Sequence, residues 1–494
     1  MGVTSVASNF IMLRFLVRYM PAKEAGIWLL FMTMSSYLTV FDFGVSPTIG
    51  REISFALGDS SVSVEERGRR VRDMLATGSR ILVAFALALT VICGVAGYWY
   101  LSSLVDFHSF LGHQTAVSWI VFVIAVATSV SGEIWLAALY GAGSVVSERL
   151  LRAAGYVLWV IASVLILRSG GGLMGLSLAW FYAFAVRLAA RELFLRGHKD
   201  FRAPGAFDWK LGKSLSGKSI KYAGTLIGGT LILYTDNIVI ASVLGPAKVP
   251  NYYAVARLVA ACLAVAMLIT TASGPFISAA FSAGNSSEVQ RLTMRNVRVS
   301  LALMAAGGCF LGFFGKPLIE LWIGQGNFVG FGVLIVMLCA MTLEAHHVSL
   351  ATATMACGDI PFFVPALIAG FLNLAFSFPL AHRLGLVGVA LGTMLAQITT
   401  NNWYVPLYSL RFLRIPWSEY SMRVGIPSLG QFALFAGCDF MLHRVLLDSE
   451  RIVQIVWGLA LNGALLALLV LAQRDSPLRS PRLSPETAPL HEER

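Results

Sequence analysis

The sequence predicts an all-α membrane protein that crosses the bilayer about 14 times, because its long apolar runs match the length of membrane helices. The chain has 494 residues, of which 57% are hydrophobic and 13% charged, whereas a soluble domain carries about 25% charged residues. Its mean hydropathy is +0.74. The apolar runs are too long for the strands of a membrane β-barrel, which measure about 9–11 residues.

The predicted spans follow one another with mostly short polar connections. We place single spans at residues 2–20, 25–45, 81–101, 116–140, 151–167, 173–188, 299–322, 328–350, 362–381, 384–407, 424–446 and 452–472, and a pair on either side of residues 245–246. No basic leader precedes the first span, and Arg14 interrupts its apolar run. We therefore expect a retained first helix and not a cleaved signal peptide.

The distribution of basic residues predicts that both termini lie in the cytoplasm. If the first turn faces outside, seven of the 37 Lys and Arg residues fall in outer loops or near the outer ends of spans, namely Lys23, Arg168, Lys248, Lys316, Arg383, Arg444 and Arg451. Three more, Arg14, Arg18 and Arg257, lie well within spans, and all the others lie in inner loops, near the inner ends of spans or in the tail. Cytoplasmic loops carry the excess of Lys and Arg in membrane proteins, which also explains the net charge of +11 without a nucleic-acid partner.

Two short internal echoes indicate a repeat of six helices. Residues 20–30 read MPAKEAGIWLL and residues 245–255 read GPAKVPNYYAV, and both follow an odd-numbered span. Residues 172–179 read GLMGLSLA and residues 385–392 read GLVGVALG, and each opens an even-numbered span. An even period keeps both copies in the same orientation, which is the parallel-repeat plan of many transporters, with a site between the lobes near the midplane.

The predicted organisation is therefore two six-helix lobes around a central cavity, with an additional helix pair. The boundaries are an N-lobe at 1–190, a basic cytoplasmic connector at 191–218, a C-lobe at 219–410, the helix pair at 411–473 and a tail at 474–494. Proline recurs every fourth residue in the tail, which excludes a helix. We expect the tail to be disordered, because it has few apolar residues to bury.

No motif in the sequence indicates an enzyme, a cofactor or a metal site. The six cysteines lie in apolar segments without CxxC spacing and are interpreted as small hydrophobic residues. Residues 212–219 read GKSLSGKS and match the P-loop pattern, but no α/β domain surrounds them, so we treat the match as chance. We therefore predict no nucleotide partner and no catalytic residue.

The hairpin around residues 245–246 carries two charges within apolar segments. Asp236 lies ten residues before Pro246 and Arg257 eleven after it, so at about 1.5 Å per residue both reach a similar depth. Charged residues inside membranes are costly and usually mark a substrate or ion path. The alternative is an ion pair that only braces the hairpin.

Arg14 and Arg18 lie one helical turn apart in the first span and therefore share a face. Together with Arg257 they form a candidate cationic patch in the central cavity. Guanidinium groups bind phosphate through bidentate, charge-assisted hydrogen bonds. The alternative for Arg18 is that its side chain extends to the outer interface.

Further charged residues suggest ion coupling or a gate. Glu344 and His347 are at i,i+3 in the tenth span, beside His346, and form either a proton or cation relay or a buried pair. Asp42 and Arg51 at the inner end of the second span either close an inward gate or cap a broken helix. The sequence assigns no partner to two other intramembrane acids, Glu133 and Asp439.

Several segments resemble the polysaccharide transporters of the O-antigen flippase type, which share a superfamily with the MATE exporters and the lipid II flippase. At the start these are RYMPAKEAGIWLL and YLTVFDFGVSPTIGREIS; later ones are TDNIVIASVLGPAKVPNYYAVARL, GPFISAAFSAG and FLNLAFSFPLAHRLGLVGVALGTMLAQ. The likeness extends from about residue 15 to about residue 405. It implies alternating access and export of undecaprenyl-diphosphate-linked oligosaccharide across the bacterial inner membrane. In such flippases cationic cavity residues meet the diphosphate, which agrees with the positions of Arg14, Arg18 and Arg257.

Three functions follow from these features. The first is a flippase for a lipid-linked O-antigen or exopolysaccharide repeat unit, with membrane lipids and polysaccharide polymerase or assembly proteins as partners. The second is a cation-coupled multidrug antiporter of the MATE type, with Asp236 and Glu344 as coupling acids. The third is a membrane scaffold for polysaccharide assembly. Arginines within the spans favour an anionic substrate and therefore the first function.

Overall fold

The computed structural model describes residues 3–40, 45–59, 61–213, 234–359 and 361–474, which form helices and no strands. Ten helices in these ranges are long and apolar enough to cross a membrane. The chain is therefore an all-α, multi-pass membrane protein, which confirms the predicted fold class. Asp42, most of the segment that matches the P-loop pattern and the tail from residue 475 lie outside the described residues.

The chain divides into two compact units, Met1–Pro250 and Asn251–Arg494. This division falls later than the predicted lobe boundary, because the helix at 234–244 bonds to the second helix of the chain. Asn237 Nδ2 donates to Thr33 Oγ1 at 2.9 Å, and the hydroxyls of Thr235 and Tyr37 are 2.9 Å apart. The assignment of the spans to two six-helix lobes stays a prediction.

The described part of the first unit contains α1 (Val3–Tyr19), α2 (Ala22–Val40), α3 (Val45–Gly58), α4 (Val64–Leu104), α5 (Phe110–Ser131), α6 (Glu133–Gly141), α7 (Val145–Arg168), α8 (Gly172–Ala179), α9 (Tyr182–Gly197) and α10 (Tyr234–Leu244). After a 3₁₀ turn at Pro246–Lys248, the chain continues into α11 (Val249–Ala266). The remaining helices are α12 (Leu268–Ser282), α13 (Ser286–Ile323), α14 (Phe331–Ala356), α15 (Phe363–Ile398), α16 (Asn401–Phe412), α17 (Trp417–Tyr420), α18 (Ile426–Val445) and α19 (Arg451–Arg474).

The fourth helix is much longer than a bilayer requires. Its 41 residues measure roughly 60 Å at 1.5 Å per residue, about twice the thickness of the hydrocarbon core. The segment after α9 packs along its first turns, where Ala206 N donates to Asp73 Oδ1 at 2.7 Å and Asp208 N to Thr77 Oγ1 at 3.0 Å. The helix α9 ends at Gly197, and the described part of the chain after it is held against α4.

Two predicted spans of the first unit are broken helices. The span at 116–140 is α5 and α6, separated at Gly132, and the span at 173–188 is α8 and α9, separated at Trp180 and Phe181. A Cβ atom added to Gly132 would lie 2.7 Å from Cβ of Arg187. Glycine at this break therefore allows α9 to approach α6 closely.

The two copies of the second echo, residues 172–179 and 385–392, fold in similar ways. Gly172 and Gly385 both have positive φ, 52° and 59°, and each turns the chain into the following helical segment. Three residues later, a Cβ atom on Gly175 would meet Ile166 at 2.4 Å, and one on Gly388 would meet Leu380 O at 1.9 Å. Both copies therefore use the first glycine for the turn and the second for close packing on the preceding helix.

Candidate functional site

The predicted cationic residues carry no acidic partner among the described residues of their own units. Arg14 is exposed on α1 and has neither a hydrogen bond nor an ion pair in the described part of the first unit. Arg18 is exposed, with its guanidinium 5.6 Å from the centre of the Tyr19 ring. In the second unit the guanidinium of Arg257 lies 4.3 Å from the centre of the Tyr253 ring, and no described carboxylate of that unit pairs with it.

Asp236 is half-buried on α10, between two residues that bond to α2. It belongs to the first unit and Arg257 to the second. The proposed convergence of Arg14, Arg18 and Arg257 on one cavity, and the similar depth of Asp236 and Arg257, therefore stay predictions.

Glu344 and His347 are brought together on α14. His347 Nε2 lies 3.8 Å from Glu344 Oε2, and the imidazole is buried. On the other side of the ring, Nδ1 lies 2.8 Å from Asn402 Oδ1 and 3.2 Å from the carbonyl oxygen of Leu343. Both partners are acceptors, so Nδ1 carries a proton and Nε2 faces the carboxylate.

His346 is directed differently from its neighbour, because its Nε2 lies 2.6 Å from the hydroxyl of Tyr420. The predicted pairing of Asp42 with Arg51 at the inner end of the second span stays a prediction, because Asp42 lies outside the described residues. Arg51 lies on α3 with an exposed side chain, and its Nη2 is 3.6 Å from Glu52 Oε1.

The structure contains an ion-pair network centred on Glu133 that was not predicted from the sequence. One carboxylate oxygen lies 2.5 Å from Arg152 Nη2 and the other 2.6 Å from Arg187 Nη2. Arg152 Nε also bonds to Glu148 Oε1. Four charges from α6, α7 and α9 thus alternate in sign. The i,i+4 spacing of Glu148 and Arg152 is the one sequence signal for this network, while the contact of Glu133 with Arg187 spans 54 residues.

A cavity of about 610 Å³ adjoins this network on the side of α3. Its polar lining consists of Arg51, Ser54, Glu133, Tyr140, Glu148 and Arg152, together with Ser46. Ligand-binding clefts measure about 300–1,000 Å³, so the cavity is large enough for a small organic group. It is built entirely from the first unit.

Asp59 and Ser61, in the loop between α3 and α4, are joined by hydrogen bonds. The hydroxyl and backbone N–H of Ser61 both donate to Asp59 Oδ1, at 2.5 and 3.0 Å. These bonds, assisted by nearby Arg70, hold the pKa of the Asp59 carboxyl below its ordinary value. The loop between α3 and α4 therefore keeps a negative charge among several arginines.

The second unit contains a buried polar cluster that the sequence also missed. Asn373 Oδ1 accepts from Ser377 Oγ at 2.8 Å and from Thr393 Oγ1 at 3.0 Å. Both Asn373 and Ser377 are fully buried. The cluster links the two arms of α15, which turns back on itself at Gly385.

Asp439, to which the sequence assigned no partner, is fully buried on α18 and accepts a hydrogen bond of 2.8 Å from Asn462 Nδ2 on α19. Its other oxygen, Oδ2, has no hydrogen-bond partner among the described residues. This contact joins the two helices of the predicted C-terminal pair.

Known structures share this fold, although no model of a protein family and no curated protein sequence matches the chain. The chain is similar to the lipid II flippase MurJ in an inward closed conformation, with a TM-score of 0.66 and 15% identity over 95% of this chain and 98% of that one. An inward-facing multidrug resistance transporter of the MATE family, from the MOP superfamily, matches with a TM-score of 0.66 and 15% identity over 84% and 96% of the two chains.

A third similar structure is a mutant form of the MATE transporter VcmN from Vibrio cholerae. It matches with a TM-score of 0.55 and 16% identity over 85% of this chain and 94% of that one. The matches span nearly the whole of each known structure. The chain therefore has the fold shared by the lipid II flippase MurJ and the MATE transporters of the MOP superfamily.

Proposed function

We propose that the protein is a flippase for undecaprenyl-diphosphate-linked oligosaccharide, the repeat unit of an O-antigen or exopolysaccharide. It would act by alternating access in the bacterial inner membrane, with both termini in the cytoplasm and without catalysing a reaction. The observation that carries the proposal is that Arg14 and Arg257, both within apolar helices, lack a carboxylate partner among the described residues of their units. A fold shared with a lipid II flippase supports it.

Several other arginines near apolar segments are paired with acids. Arg152 and Arg187 both bond to Glu133, and Arg451 Nη2 lies 3.1 Å from Glu320 Oε2. A lone cation at the centre of a membrane helix costs about 2.5–3.5 kcal/mol on insertion scales. An arginine that has no acid in the described part of its unit therefore suits a site where an anionic substrate supplies the missing charge.

The diphosphate of a lipid-linked glycan has the chemistry that such arginines bind. A guanidinium presents parallel N–H donors that fit two phosphate oxygens at once. The polyprenyl chain would remain in the lipid phase while the glycan crosses in a polar cavity. Membrane lipids and polysaccharide polymerase or assembly proteins are the partners that this function implies.

The test is the leaflet location of the lipid-linked oligosaccharide in a deletion strain. We expect the intermediate to accumulate on the cytoplasmic leaflet, wild-type protein to restore export, and Arg14→Ala and Arg257→Ala to fail although both insert normally. Arg383→Ala removes the same charge from an exposed turn of the second unit and is the matched control, which should restore export. Full export by Arg257→Ala would exclude this arginine from the mechanism.

A cation-coupled multidrug antiporter is the second candidate, favoured by the buried contact of Glu344 with His347. A carboxylate and an imidazole within 4 Å form a group that can take up and release a proton. For this function the deletion strain would keep normal surface glycan and become more sensitive to cationic drugs. Cytoplasmic accumulation of the lipid-linked glycan without drug sensitivity would exclude it.

A further inference from the structure

The cavity beside Glu133 lies near one end of the first unit and not at its centre. Glu148, which lines it, is in the first turn of α7, and Tyr140 is one residue from the end of α6. The same end carries the loop between α3 and α4, on the side predicted to face the cytoplasm. The cavity therefore lies toward the end of the first unit that is predicted to face the cytoplasm.

The charges that line the cavity balance one another. Arg51 and Arg152 oppose Glu133 and Glu148, and three of these four already bond to each other. An anion would meet the two carboxylates and a cation the two guanidinium groups, so neither is favoured. A lipid tail is also unfavourable here, because it would cover charged groups without hydrogen-bonding to them.

One carboxylate oxygen of a lining residue has no hydrogen-bond donor among the described residues. Glu148 Oε2 is buried and accepts no hydrogen bond from the described residues, and the side chain as a whole is only 6% exposed. The cation beside it is Arg149, whose Nε lies 3.5 Å away. A buried carboxylate oxygen is stabilised by a donor, and Arg149 is the cation that neutralises this one.

The lining also has two exposed aromatic rings. Phe55 is 64% exposed and Tyr140 52% exposed, and both border the cavity. Ligand sites commonly combine apolar or aromatic walls with a few placed polar groups. Alternating donors and acceptors beside aromatic rings suit a neutral, hydroxyl-rich ligand with apolar C–H faces, which is the chemistry of a sugar.

We propose that this cavity binds one or two sugar residues of the substrate's glycan on the cytoplasmic side, before translocation. The inference rests on the proposed flippase function and assigns the glycan contact to the first unit. The guanidinium of Arg152 and the carboxylate of Glu133 form hydrogen bonds with the hydroxyl groups, and Tyr140 packs against a sugar face. Arg14 and Arg257, which are proposed to meet the diphosphate, are not part of the cavity lining.

The test fills the cavity without disturbing the ion pairs. Ser54 is exposed on α3 and lines the cavity, so Ser54→Trp occupies the space with an indole ring. Tyr140→Ala removes an aromatic wall and is the second variant. Ser102→Trp adds the same bulk at an exposed position of α4 that is not part of the cavity lining, and is the matched control.

Two quantities are measured for each variant. One is the amount of lipid-linked oligosaccharide on the cytoplasmic leaflet of cells that lack the native gene. The other is saturation transfer, by NMR, from purified protein in nanodiscs to the oligosaccharide released from that lipid. We expect Ser54→Trp and Tyr140→Ala to lower export and binding about tenfold, equivalent to about 1.4 kcal/mol, and Ser102→Trp to match the wild type.

The outcomes separate this inference from the proposed function. If deletion blocks export but Ser54→Trp and Tyr140→Ala export and bind glycan normally, the sugar site is wrong and the flippase function stands. If wild-type protein shows no saturation transfer to the glycan, the sugar site is also wrong. If deletion causes no accumulation on the cytoplasmic leaflet, the proposed function fails and the sugar site fails with it.

Discussion

Single residues in this protein divide into charges that are neutralised inside their unit and charges that are not. The side chains of Glu133 and Arg187 are 17% and 16% exposed and bond to each other, so their charges neutralise one another inside the unit. Arg14 and Arg257 have no such partner in the described parts of their units, so the energy that they cost must be offset by something else. Arginine thus occurs both with and without an acidic partner, and local sequence does not distinguish the two cases.

Replacing Glu133 by Gln should destabilise the first unit. The substitution removes the carboxylate that bonds to Arg187 and leaves Arg152 with Glu148 alone, and removing one partner of a buried pair costs about 3–5 kcal/mol. We expect a clearly lower midpoint of thermal unfolding for the purified protein in detergent.

Glu288→Gln is the matched control for this change. It removes a carboxylate that bonds to Arg291 on the surface of α13, where both side chains are more than a third exposed, and such pairs contribute about 0–1 kcal/mol. Equal unfolding midpoints for the two variants would contradict a structural role for the Glu133 network.

At the scale of the element, glycines mark the places where helices break or turn. Gly132 separates α5 from α6, and Gly385 with positive φ turns α15 back on itself. Beyond that turn, Gly388 and Gly392 occupy one face of the returning arm at i,i+4, where small residues let helix backbones approach closely. Their Cβ atoms would lie 1.9 Å from Leu380 O and 2.3 Å from Ser377 Oγ.

Gly388→Ala should therefore impair folding of the second unit. The added methyl group would overlap a backbone carbonyl, which cannot move away as a flexible side chain does, and overpacking of this kind costs about 1–3 kcal/mol. We expect a reduced yield of monodisperse protein on size-exclusion chromatography and a lower unfolding midpoint.

Gly430→Ala in α18 is the corresponding control, because no described atom lies within 4 Å of the new Cβ position. Its effect should be neutral or stabilising, since alanine favours a helix over glycine by about 1 kcal/mol. If both alanine variants fold alike, the two arms of α15 are not in close backbone contact.

At the scale of the whole molecule, the distribution of charge predicts the orientation in the membrane. A fluorescent protein fused after Arg474 should fluoresce, because it folds in the cytoplasm, whereas one inserted at residues 105–109 should not. Alkaline phosphatase at the same two positions should give the reverse pattern. Fluorescence confined to the insertion at 105–109 would overturn the predicted orientation and, with it, the cytoplasmic position of the sugar site.

Contacts between residues that are far apart in the chain could not be predicted from the sequence. The echo of Pro-Ala-Lys at 21–23 and 246–248 indicated a repeat, and the structure places Gly26, just after the first copy, against the backbone of Pro246 in the second. A short shared motif cannot predict such a contact, because the contact joins residues that are far apart in the chain. The same holds for the packing of α10 on α2, which moves the unit boundary to Pro250.

The sequence by itself determined the all-α membrane fold and the turn near Gly385, because hydropathy and glycine placement act locally along the chain. It also identified Arg14, Arg18 and Arg257 as cations within apolar segments, and the i,i+3 spacing brought Glu344 and His347 together. Only the tertiary structure decided the partners of Glu133 and Asp439 and the cavity beside α3. Those contacts join separate helices, and an isolated charge does not reveal which helix its partner comes from.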